Sequence, residues 1–274
     1  MEKRLYGRHI IPLRKRTLNS ALYGLIGGIV GSFLLIFVGV SISNVGIHFA
    51  WLLAIILMLI HPRFICFSYA GGILSLFSLI FGYPKIDVAG LMAIVAILHF
   101  IEGVLVYTNG YKQATPIFME NEEYGVVGGF SLQKFWPLPL MILLLVASEE
   151  IPTEIVNMPD WWPLIRPSLD TTGENFFYMM FPVAAGLGYG DISLTSLPKR
   201  KARISAINLG IFGTVLLILA VFASRLYIFK YIAAIFAPIA HELLIYFGRN
   251  IEKKNKPIFL SPEKGELVLD VYPD

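Results

Sequence analysis

Apolar positions gather in long blocks along the chain, separated by short polar, glycine or proline breaks. A helix needs about 20 residues to cross a hydrocarbon core of roughly 30 Å, with a range of about 17 to 25. Eight blocks approach that length: 18–40, 45–60, 64–81, 88–107, 136–147, 176–189, 206–223 and 227–247. The pattern predicts an all-α polytopic membrane protein with about eight transmembrane helices. The fifth and sixth blocks are short for a straight crossing and compatible with re-entry, which leaves six crossings without changing the side of either end. The first block is longer than the apolar core of a signal peptide, about 7 to 15 residues, and reads as a retained helix.

The breaks divide the chain into a basic N-terminus (1–17), a membrane domain (18–247) and a tail (248–274). Within the membrane domain, residues 115–119 and 125–135 flank a polar turn in the loop 109–134, a pattern suited to a β-hairpin. The loop 148–174 carries Trp161 and Trp162, which read as interfacial anchors at headgroup level. In the tail, 257–260 and 265–272 have strand character, with Gly265, Leu267, Val268, Leu269 and Val271 forming an apolar strand. A lone strand is not stable by itself, so the tail reads as the opening of a further domain.

Composition sharpens this picture. Of 274 residues, 56% are apolar and only 15% charged, against roughly a quarter charged in soluble domains. A soluble globular enzyme and a disordered chain are both excluded. Cys66 is the only cysteine, so an internal disulfide or a zinc site built from several cysteines is excluded too. Of the 22 lysines and arginines, 18 fall on one side of the eight-span map, and cytoplasmic loops are the ones enriched in these residues. Both termini are therefore expected in the cytoplasm. The basic clusters beside spans are explained by topology and by attraction to anionic lipid, and no aromatic platforms interleave with them for nucleic-acid binding.

Ionisable groups inside apolar blocks cost about 3 kcal/mol or more at the bilayer centre and need a reason to be there. His99 and Glu102 lie three apart on one helix face, and His241 and Glu242 are adjacent. The four could ligate zinc or relay protons. Their spacing lacks the His-Glu-x-x-His arrangement that grips a metal beside a general base, since Ile245 stands in the second histidine's place. The expectation is therefore structural polar pairing, with no catalytic residue, metal or cofactor assigned. Gly24, Gly27, Gly28 and Gly31 form overlapping Gly-x-x-x-Gly steps that let backbones approach, either within the chain or in a homo-oligomer.

The tail GELVLDVYPD (265–274) resembles the first strand of bacterial PDZ domains. With the stretches HPRFICFSYAGG (61–72) and GGFSLQKFWPLP (128–139), the layout resembles Firmicute polytopic PDZ proteins of the MinJ type. That resemblance implies a multi-pass protein of the bacterial plasma membrane, a scaffold in division-site placement, with MinD and DivIVA as partners. The function expected is thus a non-enzymatic membrane anchor recruiting protein partners at the cytoplasmic face. Two alternatives are a metal-dependent intramembrane hydrolase using His99, Glu102, His241 and Glu242, and a small-solute transporter with its site where the fifth and sixth blocks meet.

Overall fold

A computed structural model describes residues 12–148, 156–167 and 175–260. The order is α1 (Leu13–Val38), α2 (Ile47–Ile60), α3 (Phe67–Phe81), α4 (Val88–Leu105), β1 (Thr115–Asn121), β2 (Gly125–Ser148), β3 (Asn175–Ser193), α5 (Pro198–Ala223), α6 (Tyr227–Lys254) and β4 (Phe259–Leu260). A 3-10 turn, Pro62–Ile65, precedes α3, and a π-turn, Val106–Gly110, extends α4. Among the described residues, four helices are long and apolar enough to cross a membrane: α1, α4 with its π-turn, α5 and α6. Helices α2 and α3 are apolar but shorter, at 14 and 15 residues. The outer faces of α1, α2, α5 and α6 expose large apolar side chains such as Phe33, Trp51, Ile56, Ile211 and Ile239. So much exposed apolar surface suits lipid rather than water, and the chain is a membrane-associated protein.

The expected all-α fold with eight spans is not what forms. The fifth and sixth apolar blocks are strands: β2 and β3 pair antiparallel from Phe130↔Ser193 to Ser148↔Asn175. β1 pairs with β2 through Thr115↔Ser131 to Asn121↔Gly125, which is the hairpin read from the loop 109–134. β4 pairs with β2 at Val127 and Gly128, so the start of the tail joins this sheet. The PDZ-like strand of Gly265, Leu267, Val268, Leu269 and Val271 lies outside the described residues, as do most of the basic N-terminus and the acidic part of the loop 148–174.

Helix α4 is the hub. It is buried on nearly every side, from Val88 to Leu105, as expected of a helix that is apolar all round. Small residues bring its neighbours close. A Cβ on Gly103 would stand 2.9 Å from the Ala206 carbonyl oxygen, and one on Gly213 would stand 2.7 Å from that of Ala96. These contacts set α4 and α5 backbone to backbone. On the other side, Gly72 of α3 makes room for Pro238 of α6. In bundles where lipid is as apolar as the side chains, such backbone approach is a main source of helix association.

The long β2–β3 ribbon lies against α1 beside the middle of its apolar span. Backbone groups at that depth have no water and must find partners, and the edge of β2 that faces α1 is built for this. Pro137 and Pro139 have no N–H to satisfy. Their carbonyl oxygens point at Gly24 and Gly28 of α1, where any Cβ would collide with them. The next N–H in the row, that of Met141, donates to Ser32 Oγ at 2.8 Å. Further on, Ile42 N–H donates to the Leu143 carbonyl at 2.8 Å, and the Leu145 N–H donates to Ser43 Oγ at 2.9 Å. Four residues of helix rise about 6 Å and two residues of strand about 6.6 Å. The series Gly24, Gly28, Ser32 therefore stays in step with 137, 139, 141.

This revises the reading of the Gly-x-x-x-Gly steps. The packing is within the chain, but Gly24 and Gly28 receive a strand while Gly27 and Gly31 face Leu105, Ile101 and Leu140 side chains. Trp162 also has a bonded role: its indole N–H donates to the Ile36 carbonyl at 2.9 Å, capping the end of α1. Trp161 remains half exposed against Phe37.

Candidate functional site

The polar cluster forms where α3, α4 and α6 meet. Cys66 occupies the N-cap of α3, its sulfur accepting from the Ser68 N–H at 3.5 Å. His99 projects from the middle of α4 and is buried. His241 projects from α6, three residues after Pro238, which packs on Gly72. The two imidazole rings are 5.2 Å apart. Cys66 Sγ lies 3.1 Å from His99 Nε2 and 3.6 Å from His241 Nε2. His99 Nδ1–H donates to the Val95 carbonyl at 2.7 Å, which fixes the tautomer and turns the Nε2 lone pair toward the sulfur. Phe212 of α5 closes one wall, edge-on to both imidazoles at 5.1 and 5.7 Å.

A second layer of charge borders this cluster. Tyr69 packs edge-on to His241 at 5.2 Å and donates its hydroxyl proton to Glu242 Oε2 at 2.6 Å. Glu242 Oε1 is paired with the Arg63 guanidinium at 3.0 Å. Of the four groups read from the sequence, His99 and His241 thus come together, whereas Glu242 turns to Arg63 and Tyr69. Glu102 follows His99 one turn later and forms no hydrogen bond with it; the histidine is held by Val95 and Cys66 instead. Cys66 is the member that sequence reasoning passed over. Its separation from both histidines, 33 and 175 residues, gave no spacing signal, and a single cysteine was weighed only against disulfides and cysteine clusters.

A different kind of site is the outer edge of β3. Met141 and Leu145 direct their N–H groups toward α1 and Ser43, so the ladder partner Tyr178 directs its N–H, and Pro182 its carbonyl, to the opposite side. By the same alternation the N–H groups of Met180, Ala184, Gly186, Gly188 and Gly190 face outward. All five residues are exposed, and among the described residues β3 pairs with β2 alone. Pro182 interrupts the row, and beyond it the edge is built from Ala184 and three glycines. The small residues at 183–188 lie within this strand.

The glycine-rich end of the edge lies at the end of the molecule where basic residues collect. Lys199 stands over the Tyr111 ring at 5.8 Å, Arg203 over Tyr107 at 5.6 Å and Lys112 over Tyr23 at 5.0 Å. Lys134, beside Tyr189 in the ladder, has its pKa lowered to about 8, first by burial and then by Arg16 and Lys112. Trp136 anchors the ribbon here, its indole N–H donating to Asn109 Oδ1 at 3.3 Å. Compared with known proteins, the chain matches no family model, no curated protein and no solved structure.

Proposed function

We propose that the chain is a non-enzymatic, multi-pass anchor of the bacterial plasma membrane that recruits a protein partner at its cytoplasmic face, the partner adding an extended segment to the outer edge of β3. The supporting observation is the basic end of that edge: outward N–H and C=O groups at Gly188 and Gly190, exposed, and beyond the part of β3 that lies level with Gly24 and Gly28 of α1. Free strand edges are templates for pairing, and strand addition draws affinity from main-chain bonds and specificity from side-chain pockets. Small residues along the edge leave the approach open. The concentration of Arg16, Lys112, Lys134, Lys199 and Arg203 at that end supports its placement in the cytoplasm, with both termini on the same side. The MinJ-type resemblance would put such recruitment at the division site.

The test exploits proline, which an edge strand tolerates where its N–H faces outward, as Pro182 already does. Gly188→Pro and Gly190→Pro remove outward donors and leave the β2–β3 ladder whole. A photo-crosslinking residue at Ile192, read in native membranes, is expected to trap a discrete partner that both proline variants lose. A crosslinking pattern equal to that of a probe at the exposed α5 residue Ile211, or one indifferent to both prolines in a protein of unchanged fold, would overturn the proposal.

A further inference from the structure

We propose that Cys66, His99 and His241 bind a zinc ion between α3, α4 and α6, a site independent of the β3 edge. One ligating atom from each residue lies within 4.8 Å of the other two. A tetrahedral zinc with bonds of about 2.0 to 2.3 Å holds its sulfur and nitrogen ligands roughly 3.3 to 3.6 Å apart. The sulfur to Nε2 separations of 3.1 and 3.6 Å straddle that spacing, so small side-chain adjustments admit the ion. Each ligand comes from a different element, and each element is fixed by tight packing: Cys66 by the α3 N-cap, His99 by the buried hub helix, and His241 by the Gly72–Pro238 contact.

Hydrogen bonding alone does not complete this cluster. His99 Nε2 is an acceptor, because Nδ1 carries the proton given to Val95. The thiol can give its one proton to His99 Nε2 and its sulfur can accept from His241 Nε2–H at 3.6 Å, which leaves the buried His241 Nδ1 with no hydrogen-bond partner among the described residues. A metal ion takes all three converging donor atoms at once. The thiol loses its proton to solvent and the sulfur lone pair forms the bond to zinc, while both imidazoles bind as neutral ligands. The bond from His99 to the Val95 carbonyl is the outer contact that ordinarily orients a metal-bound imidazole. A mixed thiolate and imidazole set suits zinc among the common divalent ions. Three protein ligands leave a fourth position for water.

The experiment uses the full-length protein purified in detergent without chelator. Elemental analysis is expected to find about one zinc per chain, falling to near none in His99→Ala and unchanged in His61→Ala, whose residue lies outside the cluster. Cobalt replacing zinc is expected to give a sulfur-to-metal charge-transfer band that Cys66→Ser abolishes. That near-isosteric change keeps the reading valid even if His99→Ala does not fold, with circular dichroism and gel filtration reporting the fold. A wild-type protein that takes up neither zinc nor cobalt, zinc retained equally in all variants, copper in place of zinc, or a cobalt spectrum indifferent to Cys66→Ser would each overturn the site.

Discussion

At the residue scale, glycines with the same one-letter code carry opposite predictions. A Cβ on Gly24 would run into the Pro137 carbonyl, which is backbone and cannot swing aside, whereas one on Gly210 of α5 meets nothing within 4 Å. Gly24→Ala is therefore expected to destabilise by about 1 to 3 kcal/mol, the usual cost of overpacking. Gly210→Ala is expected to stabilise by up to about 1 kcal/mol through helix propensity. Unfolding midpoints in one detergent would show the two shifts with opposite sign; a shared sign would contradict the placement of β2 on α1. Lys134 carries a second expectation. Its folded pKa of about 8 lies below the ordinary lysine value of 10.5, so between these pH values the unfolded chain binds a proton that the folded one does not. Stability should rise with pH across that window, by a small amount because the side chain is partly solvated. Lys134→Met should flatten the rise, measured as unfolding midpoint against pH.

At the element scale, the informative feature is how a strand edge is accommodated beside a membrane helix. Two prolines remove donors, two glycines admit carbonyls, and two serines, Ser32 and Ser43, bond the N–H groups of Met141 and Leu145. Ser32→Ala is expected to cost about 1 to 3 kcal/mol, the penalty for leaving the Met141 N–H unmet, while Thr214→Ala, whose hydroxyl only returns to its own helix at Gly210, should cost much less. Equal effects in thermal unfolding would argue against the pairing. The helices α1 to α6 were legible from apolar length and breaks, and the β1–β2 turn from its polar residues. The ribbon was misread because a continuous apolar run has no periodicity to tell helix from strand. Its sequence did hold a correcting signal: Pro137 and Pro139 near the start of one run, Pro182 within the other, and glycines at alternate positions 186, 188 and 190. Prolines in a helix interior each cost about 3 kcal/mol or more, whereas an edge strand accepts them. The Cys66–His99–His241 cluster was half legible, since buried histidines announce themselves by burial cost but a cysteine 175 residues from His241 is joined to it only by the fold.

At the scale of the whole molecule, the ribbon, the last two helices and the tail are tied by one buried charge network. Lys201 sits inside the run of basic residues 199–203 that sequence reasoning assigned to topology and lipid, yet it is buried, 3.1 Å from Glu252 of α6 and 3.5 Å from Asp191 at the end of β3. Glu252 also accepts the N–H groups of Leu194 and Thr195, at 2.8 and 2.9 Å, and the Leu194 carbonyl in turn receives the Ile258 N–H, just before β4. The network thus fixes where the sheet hands over to α5 and where the tail leaves α6. Breaking one side of a buried pair strands the other charge and costs about 3 to 5 kcal/mol, whereas replacing both partners by apolar residues of similar size is often neutral. Here the two sides are not equivalent, because Glu252 also serves two backbone donors. Lys201→Met should therefore be the milder change: Asp191 keeps the Ser205 hydroxyl at 2.9 Å, and Glu252 keeps its two N–H bonds. Glu252→Leu should be the more severe, leaving the Leu194 and Thr195 N–H groups and Lys201 short of a partner. In the double variant the lysine charge is gone but the two N–H groups remain unmet, so its loss should fall below the sum of the single losses without vanishing. Limited proteolysis after Lys254 gives the local reading: faster cleavage in Glu252→Leu than in Lys201→Met would locate the carboxylate as the tail's fastening, and equal rates would remove it from that role.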